Sequence, residues 1–168
     1  MLTLGGIGGI LSGLLGFAWW YAIMSLFLFP SAEVALFVLS LLTYGFLLSG
    51  IFLIIHSIGF FGLGKKFGKG AATAAGVFAL LYGIFMLGFG AMFLGALTAA
   101  SPEMLMGSIG MLFLGLIFGF IFAILAIVGF SGTEKGTLGL VGGILTLIGL
   151  SPIGFLLMGI CMIQQAKL

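Results

Sequence analysis

Long apolar stretches separated by short polar breaks make up this chain. The breaks, which hold serines, prolines and charged residues, are Pro30–Glu33, Lys65–Gly70, Ser101–Glu103 and Ser131–Gly136. About twenty apolar residues are enough to cross the hydrocarbon core of a bilayer as a helix. The pattern therefore predicts five transmembrane helices, at approximately residues 4–29, 33–63, 71–97, 102–130 and 137–163.

The composition supports a membrane protein and excludes several other classes. The chain is 63% hydrophobic and only 5% charged, whereas charged residues make up about a quarter of an ordinary soluble domain. We therefore expect an all-α, polytopic transmembrane helical bundle, with residues 1–168 forming a single domain. The formal net charge of +2 is too small and too dispersed for a nucleic-acid surface. Cys161 is the lone cysteine, which excludes an intrachain disulfide.

The second and fourth predicted helices resemble each other. Residues 45–65 match residues 115–135 at an offset that also aligns Ser31 and Glu33 with Ser101 and Glu103. The match predicts a parallel duplication, in which both helices run the same way through the membrane. Some transporters are built from parallel repeats, although a duplicated hairpin in a structural protein would give the same pattern.

The lysines predict an orientation in the cell membrane. Cytoplasmic loops carry an excess of Lys and Arg, which favours a cytoplasmic position for Lys65, Lys66, Lys69 and Lys135. With five spans, the N-terminus is then inside, and the C-terminus, with Lys167, is outside. Anionic lipid head groups or an acidic partner could also bind the first three lysines.

Glycines recur one helical turn apart in several predicted helices. Small residues at this spacing allow helix backbones to approach closely inside a membrane. They predict helix packing, either within the chain or against a partner, at Gly5, Gly9, Gly13, Gly115, Gly119, Gly139 and Gly143.

His56 is the only histidine and lies deep in the second predicted helix. An ionisable residue at this depth is a functional candidate, and it could bind haem, relay a proton or form a site shared with another chain. Its repeat counterpart is Ala126, however, and most buried polar groups are hydrogen-bonded. The favoured interpretation is a neutral histidine bonded to a hydroxyl or a carbonyl group. We predict no cofactor, metal site or catalytic residue.

Two stretches carry a family resemblance. GLVGGILTLIGLSPIGFLLMGI near the C-terminus and IGFFGLGKKFGKG after the second helix resemble small five-span, glycine-rich archaeal membrane proteins of uncharacterised function. The resemblance implies an archaeal source and no assigned activity. In the first stretch, the proline of Ser151–Pro152 is expected to kink the fifth helix, because proline removes a backbone hydrogen bond.

These features predict a protein that is not an enzyme. The favoured function is a cofactor-free structural or accessory subunit of a larger membrane complex, such as a respiratory or energy-converting one. The alternative is a small channel or transporter built on the two-helix parallel repeat. The expected partners are the lipid bilayer and other membrane subunits or further copies of the chain, and no nucleic acid.

Overall fold

The computed structural model describes the backbone of all residues 1–168 and every side chain except that of Leu42. The chain is helical throughout, as predicted, and α1 to α4 are long and apolar enough to span a membrane. The six helices are α1 (Leu2–Leu28), α2 (Ala32–Phe67), α3 (Gly70–Ala99), α4 (Pro102–Phe130), α5 (Thr137–Leu147) and α6 (Ser151–Ala166).

Helices α2 and α4 begin in the same way. The side chain of Ser31 accepts a hydrogen bond of 3.2 Å from the Val34 amide, and Ser101 accepts one of 3.3 Å from the Met104 amide. Serine oxygens satisfy amide groups that the first helical turn leaves without partners. Pro102 occupies the first turn of α4, where a missing amide proton costs nothing.

The prediction of one continuous fifth span is wrong. Helix α5 ends at Leu147 and α6 begins at Ser151, and the two pack antiparallel, with Gly142 against Gly154 and Met158. The chain reverses at Gly149, whose φ of 89° is accessible mainly to glycine. Pro152 starts α6 instead of kinking a longer helix, because proline is well tolerated in a first turn. Residues 137–163 thus form a helical hairpin.

The helices close into a ring. Helix α1 packs against α2 and α6, and each remaining helix packs against the next one along the chain. All five lysines lie at one end of this ring, which we call the lysine end. Glu33 and Glu103 lie at the other, which we call the glutamate end.

Both termini lie at the lysine end. Lys66 Nζ donates a hydrogen bond of 2.7 Å to the Gln165 carbonyl, and Met1 packs against Gly62. The prediction that the termini lie on opposite sides is therefore wrong, because the α5–α6 hairpin returns the chain to the end from which it started. Lys167 accordingly joins the other lysines.

The short hairpin divides the ring into two unlike halves. At about 1.5 Å per residue, α5 is about 17 Å long and α6 about 24 Å, so neither crosses a hydrocarbon core of about 30 Å. The half at the lysine end contains all six helices, and its centre is filled by Phe60, Phe122 and Met158, which are fully buried. We call it the closed half. The half at the glutamate end, with four helices, is the open half.

Candidate cavity at the hairpin tip

A cavity of about 170 Å³ lies where the hairpin ends and the open half begins. Its floor is the start of α6, from Ser151 to Phe155, and its walls come from α1, α2 and α3. Most of the lining is apolar. The lining residues with polar side-chain groups are Ser12, Trp19, Trp20, Ser49, Tyr82 and Ser151.

Ser12 is the most unusual of these residues. Its side chain is 7% exposed, and its Oγ has no hydrogen-bond partner within the part of the chain that the structure describes. Other helical hydroxyls in this protein bond to their own helix, as Thr43 does to the Leu39 carbonyl at 2.9 Å. A buried hydroxyl without a partner costs about 1–3 kcal/mol, so Ser12 is available to a group inside the cavity.

The N-terminus of α6 also faces the cavity. Leu150 is the N-cap residue of α6, and among the described residues no side chain accepts a hydrogen bond from the first amides of the helix. Ser151 and Pro152 form part of the cavity floor. The amide groups of a first helical turn lack partners within the helix, and the helix dipole gives this end a partial positive charge. Helix α6 therefore presents donors and positive potential to the cavity.

A groove of about 320 Å³ shares Tyr82 and Ser151 with this cavity. It lies on the α4–α5 side of the hairpin tip and is lined by Gly119, Thr146 and other residues. A side chain at Gly119 would meet the Tyr82 ring, whose Cζ atom lies 3.1 Å from a Cβ built there. Glycine at this position thus gives the tyrosine its place beside the tip.

His56 lies below the cavity floor, in the closed half. It is fully buried, and its Nδ1 donates a hydrogen bond of 2.8 Å to the Gly5 carbonyl. Its Nε2 has no partner among the described residues. The rings of Phe60, Phe122 and Phe155 have centroids 5.2, 6.1 and 5.7 Å from that of the imidazole. Since Phe155 also lines the cavity, its ring separates His56 from it.

The seven glycines singled out in the sequence face other helices of the same chain. Gly9 makes room for the imidazole of His56, because a Cβ there would lie 2.7 Å from Nδ1. The neighbours of the other six are Gly59 for Gly5, Pro152 for Gly13, Met86 for Gly115, Tyr82 for Gly119, Phe130 for Gly139 and Ile127 for Gly143.

The lysines singled out in the sequence have different surroundings at the lysine end. Lys69 Nζ contacts the Ser131 carbonyl, and Lys66 bonds to Gln165 as described above. Lys65 and Lys135 are exposed. Lys65 and Lys66 line a shallow pocket of about 440 Å³ beside Met1. Their roles in lipid binding and topology stay predictions.

The cavity and the role of Ser12 were not predicted from the sequence. A signal was present in Gly149-Leu150-Ser151-Pro152, since a glycine followed closely by Ser-Pro is typical of a helix stop and a new start. The same residues were interpreted as a kink. For Ser12 no local signal exists, because its place beside α6 depends on the closure of the ring.

Comparisons with known proteins give no relative. No family model matches the chain, and no curated protein or solved structure is significantly similar to it. The resemblance to archaeal five-span proteins thus stays a prediction, and the function must be argued from the cavity and the hairpin.

Proposed function

We propose that this protein is a small membrane channel or transporter, and that its substrate passes through the cavity at the hairpin tip. One observation carries the proposal: a half-length hairpin ends partway through a ring of long apolar helices, and the start of its second helix forms the floor of a cavity. The sequence favoured an accessory subunit, because residues 137–163 were predicted to form one continuous helix and not a hairpin.

The argument rests on how bilayers treat an interrupted backbone. Within the hydrocarbon region, non-helical backbone is tolerated only where protein buries it or where it lines a water-filled cavity. The turn from Ile148 to Leu150 interrupts the helical backbone between α5 and α6. Discontinuous helices of this kind form the substrate sites of many transporters.

The route continues from the cavity towards the lysine end. Phe155 closes the floor and packs on Phe122, with their centroids 6.0 Å apart and their planes nearly parallel. A substrate must displace these rings and pass His56 to reach the other side. In this conformation the pathway is closed, and rotation of Phe155 or movement of the hairpin opens it.

The duplication and the orientation form part of the same proposal. We propose that α2 and α4 are the two copies of a parallel repeat, which their matching serine caps support. The lysine end faces the cytoplasm of the cell membrane by the positive-inside rule. Both termini are then cytoplasmic, and the cavity opens towards the outside.

Flux through proteoliposomes tests the proposal. Purified protein is reconstituted, and stopped-flow light scattering measures the uptake of small neutral solutes and salts. We expect uptake above that of protein-free vesicles, and a strong reduction by Ser49→Phe, which fills the cavity. Leu48→Phe is the matched control, because the neighbouring Leu48 is exposed on the outer surface. Wild-type uptake equal to that of empty vesicles for every solute would overturn the proposal.

A second candidate, an accessory subunit of a larger membrane complex, is favoured by the apolar surface where α1 meets α2. Helix α1 is about 40 Å long, which exceeds a hydrocarbon core of about 30 Å. Its last turns expose Tyr21 and Phe27, the latter by 77%. Gentle solubilisation followed by mass spectrometry tests this candidate: stoichiometric partners would support it, and a solitary chain would count against it.

A further inference from the structure

We infer that the cavity at the hairpin tip binds a small anion, such as a halide. This inference rests on the proposed transport function and names the class of its substrate. Two independent observations point to the ligand: the uncapped N-terminus of α6 at the cavity floor, and the unpartnered Oγ of Ser12, buried in the wall beside it.

The polar groups of the cavity favour a negative ligand. The indole N–H of Trp19 can only donate a hydrogen bond, and the hydroxyls of Ser12, Ser49 and Ser151 can each donate one. The described lining contains no carboxylate. Cation sites, by contrast, are built from carboxylate and carbonyl oxygens. Half-helix N-termini point at anionic substrate groups in known transporters.

The hairpin tip is electrostatically asymmetric. Helix α5 ends at the same place as α6 begins, and its dipole would place a negative end there. The carbonyls of Ile144, Leu145 and Thr146 accept hydrogen bonds inside the turn, for example 2.8 Å from the Leu150 amide to Leu145. The carbonyl of Leu147, the last of α5, has no such bond among the described residues, but Leu147 lines the neighbouring groove and not this cavity. Within the described part of the chain, the amide of Ser151 has no such bond. The α6 side of the tip, which carries the free Ser151 amide, therefore faces the cavity, whereas the end of α5 faces the groove.

The size of the cavity suits a partly hydrated ion. Its volume is about 170 Å³, whereas a water molecule in the liquid takes about 30 Å³. A halide can enter with a few waters and exchange others for the hydroxyl and amide donors. The rings of Trp19, Trp20 and Phe46 also line the cavity, and their low polarizability compared with water strengthens the attraction between the ion and the helix terminus.

Fluorescence tests the site without requiring flux. Trp19 and Trp20 are the only two tryptophans of the chain and both line the cavity. We expect quenching by iodide in detergent to saturate and to be reversed by chloride, while quenching by neutral acrylamide stays linear. Ser12→Ala should weaken iodide binding about tenfold, the size expected for one hydrogen bond to a charged group.

The control is Ser25→Ala on the same helix, where the hydroxyl donates 2.8 Å to the Tyr21 carbonyl, away from the cavity; iodide binding should not change. If Ser12→Ala does not fold, Ser49→Ala takes its place, with the same expected weakening. Linear iodide quenching that neither variant nor chloride affects would overturn the anion site.

Flux and binding together separate the two proposals. Saturable iodide binding without flux of any solute would retain the anion site and overturn the transport function. Flux of a neutral solute without saturable iodide binding would retain transport and overturn the anion site. Saturable binding together with anion flux that Ser12→Ala reduces would support both.

Discussion

The two halves of the ring are built from the same four long helices and differ in one element. In the closed half, α5 and α6 complete the ring, and the centre is filled by aromatic side chains, methionines and His56. In the open half the hairpin is absent, and a cavity remains between α1, α2 and α3. All parts of the bundle are hydrophobic, so hydrophobicity does not explain the difference. The length of α5 and α6 decides which part of the bundle has a centre filled by side chains.

Two serines of α2 experience this difference directly. Ser49 lines the cavity, and Ser57, two turns further along the same helix, is 2% exposed and bonds to the Ile54 carbonyl at 2.6 Å. Both are serines of the same helix, and both have mainly apolar residues around them. Their accessibility to water follows only from the half in which each lies.

The largest expected effect is a difference in labelling rate between cysteines placed at these two serine positions. In a Cys161→Ala background, Ser49→Cys should react with a water-soluble maleimide on the order of a hundredfold faster than Ser57→Cys. Reaction at Ser57 requires local opening of the closed half, for which we take about 3 kcal/mol. Labelling rates in detergent measure this ratio, and equal rates would mean that the two halves do not differ as described.

Gly5→Ala should strongly destabilise the closed half. The added Cβ would collide with the Gly59 backbone, which cannot move as a side chain can. We expect a loss of about 3 kcal/mol, the upper part of the range for overpacking. Gly110→Ala is the control, since nothing lies within 4 Å of its Cβ position and alanine favours a helix.

Chemical unfolding in mixed micelles measures both glycine variants. Gly5→Ala should unfold at lower denaturant, and Gly110→Ala should match or slightly exceed the wild type. If both variants behaved alike, the contact between α1 and α2 would not be tight.

Gln165→Leu should loosen the anchor of the hairpin in the closed half. Gln165 is fully buried, and its Nε2 donates 2.9 Å to Thr133 Oγ1 and 3.2 Å to the Glu134 carbonyl. Leucine cannot donate these two hydrogen bonds, and we expect the free energy of unfolding to fall by about 2 kcal/mol. The adjacent Gln164 is exposed, so Gln164→Leu should leave the thermal unfolding midpoint unchanged, and equal shifts for both variants would contradict the anchor.

The smallest effect is expected at the hairpin tip, on the border of the two halves. Gly149→Ala should cost about 1 kcal/mol, because alanine is strained at positive φ although space is open around it. Unfolding midpoints measure the loss. An unchanged midpoint would indicate that the turn adopts another conformation.

Much of the long-helix framework could be predicted from the sequence, because its signals are local. Apolar length indicated α1 to α4, and the breaks at Pro30–Glu33 and Ser101–Glu103 marked the starts of α2 and α4 within a residue or two. The hairpin could not be predicted with equal ease, because residues 137–163 are largely apolar and long enough to span as one helix. The stretch Gly149-Leu150-Ser151-Pro152 fits either a kink or a reversal, and the positive φ of Gly149 makes it a reversal.

The sequence by itself determined that this protein is helical and apolar, where its long helices begin and end, and that lysines gather in the breaks after α2 and α4. These properties depend on neighbours along the chain. Tertiary structure alone decided that both termini share one end, that Ser12 stands beside the start of α6, and that His56 bonds to Gly5. Those contacts join residues far apart in sequence. The first two arise because the hairpin turns back at Gly149 and closes the ring, and the third arises because α1 packs against α2.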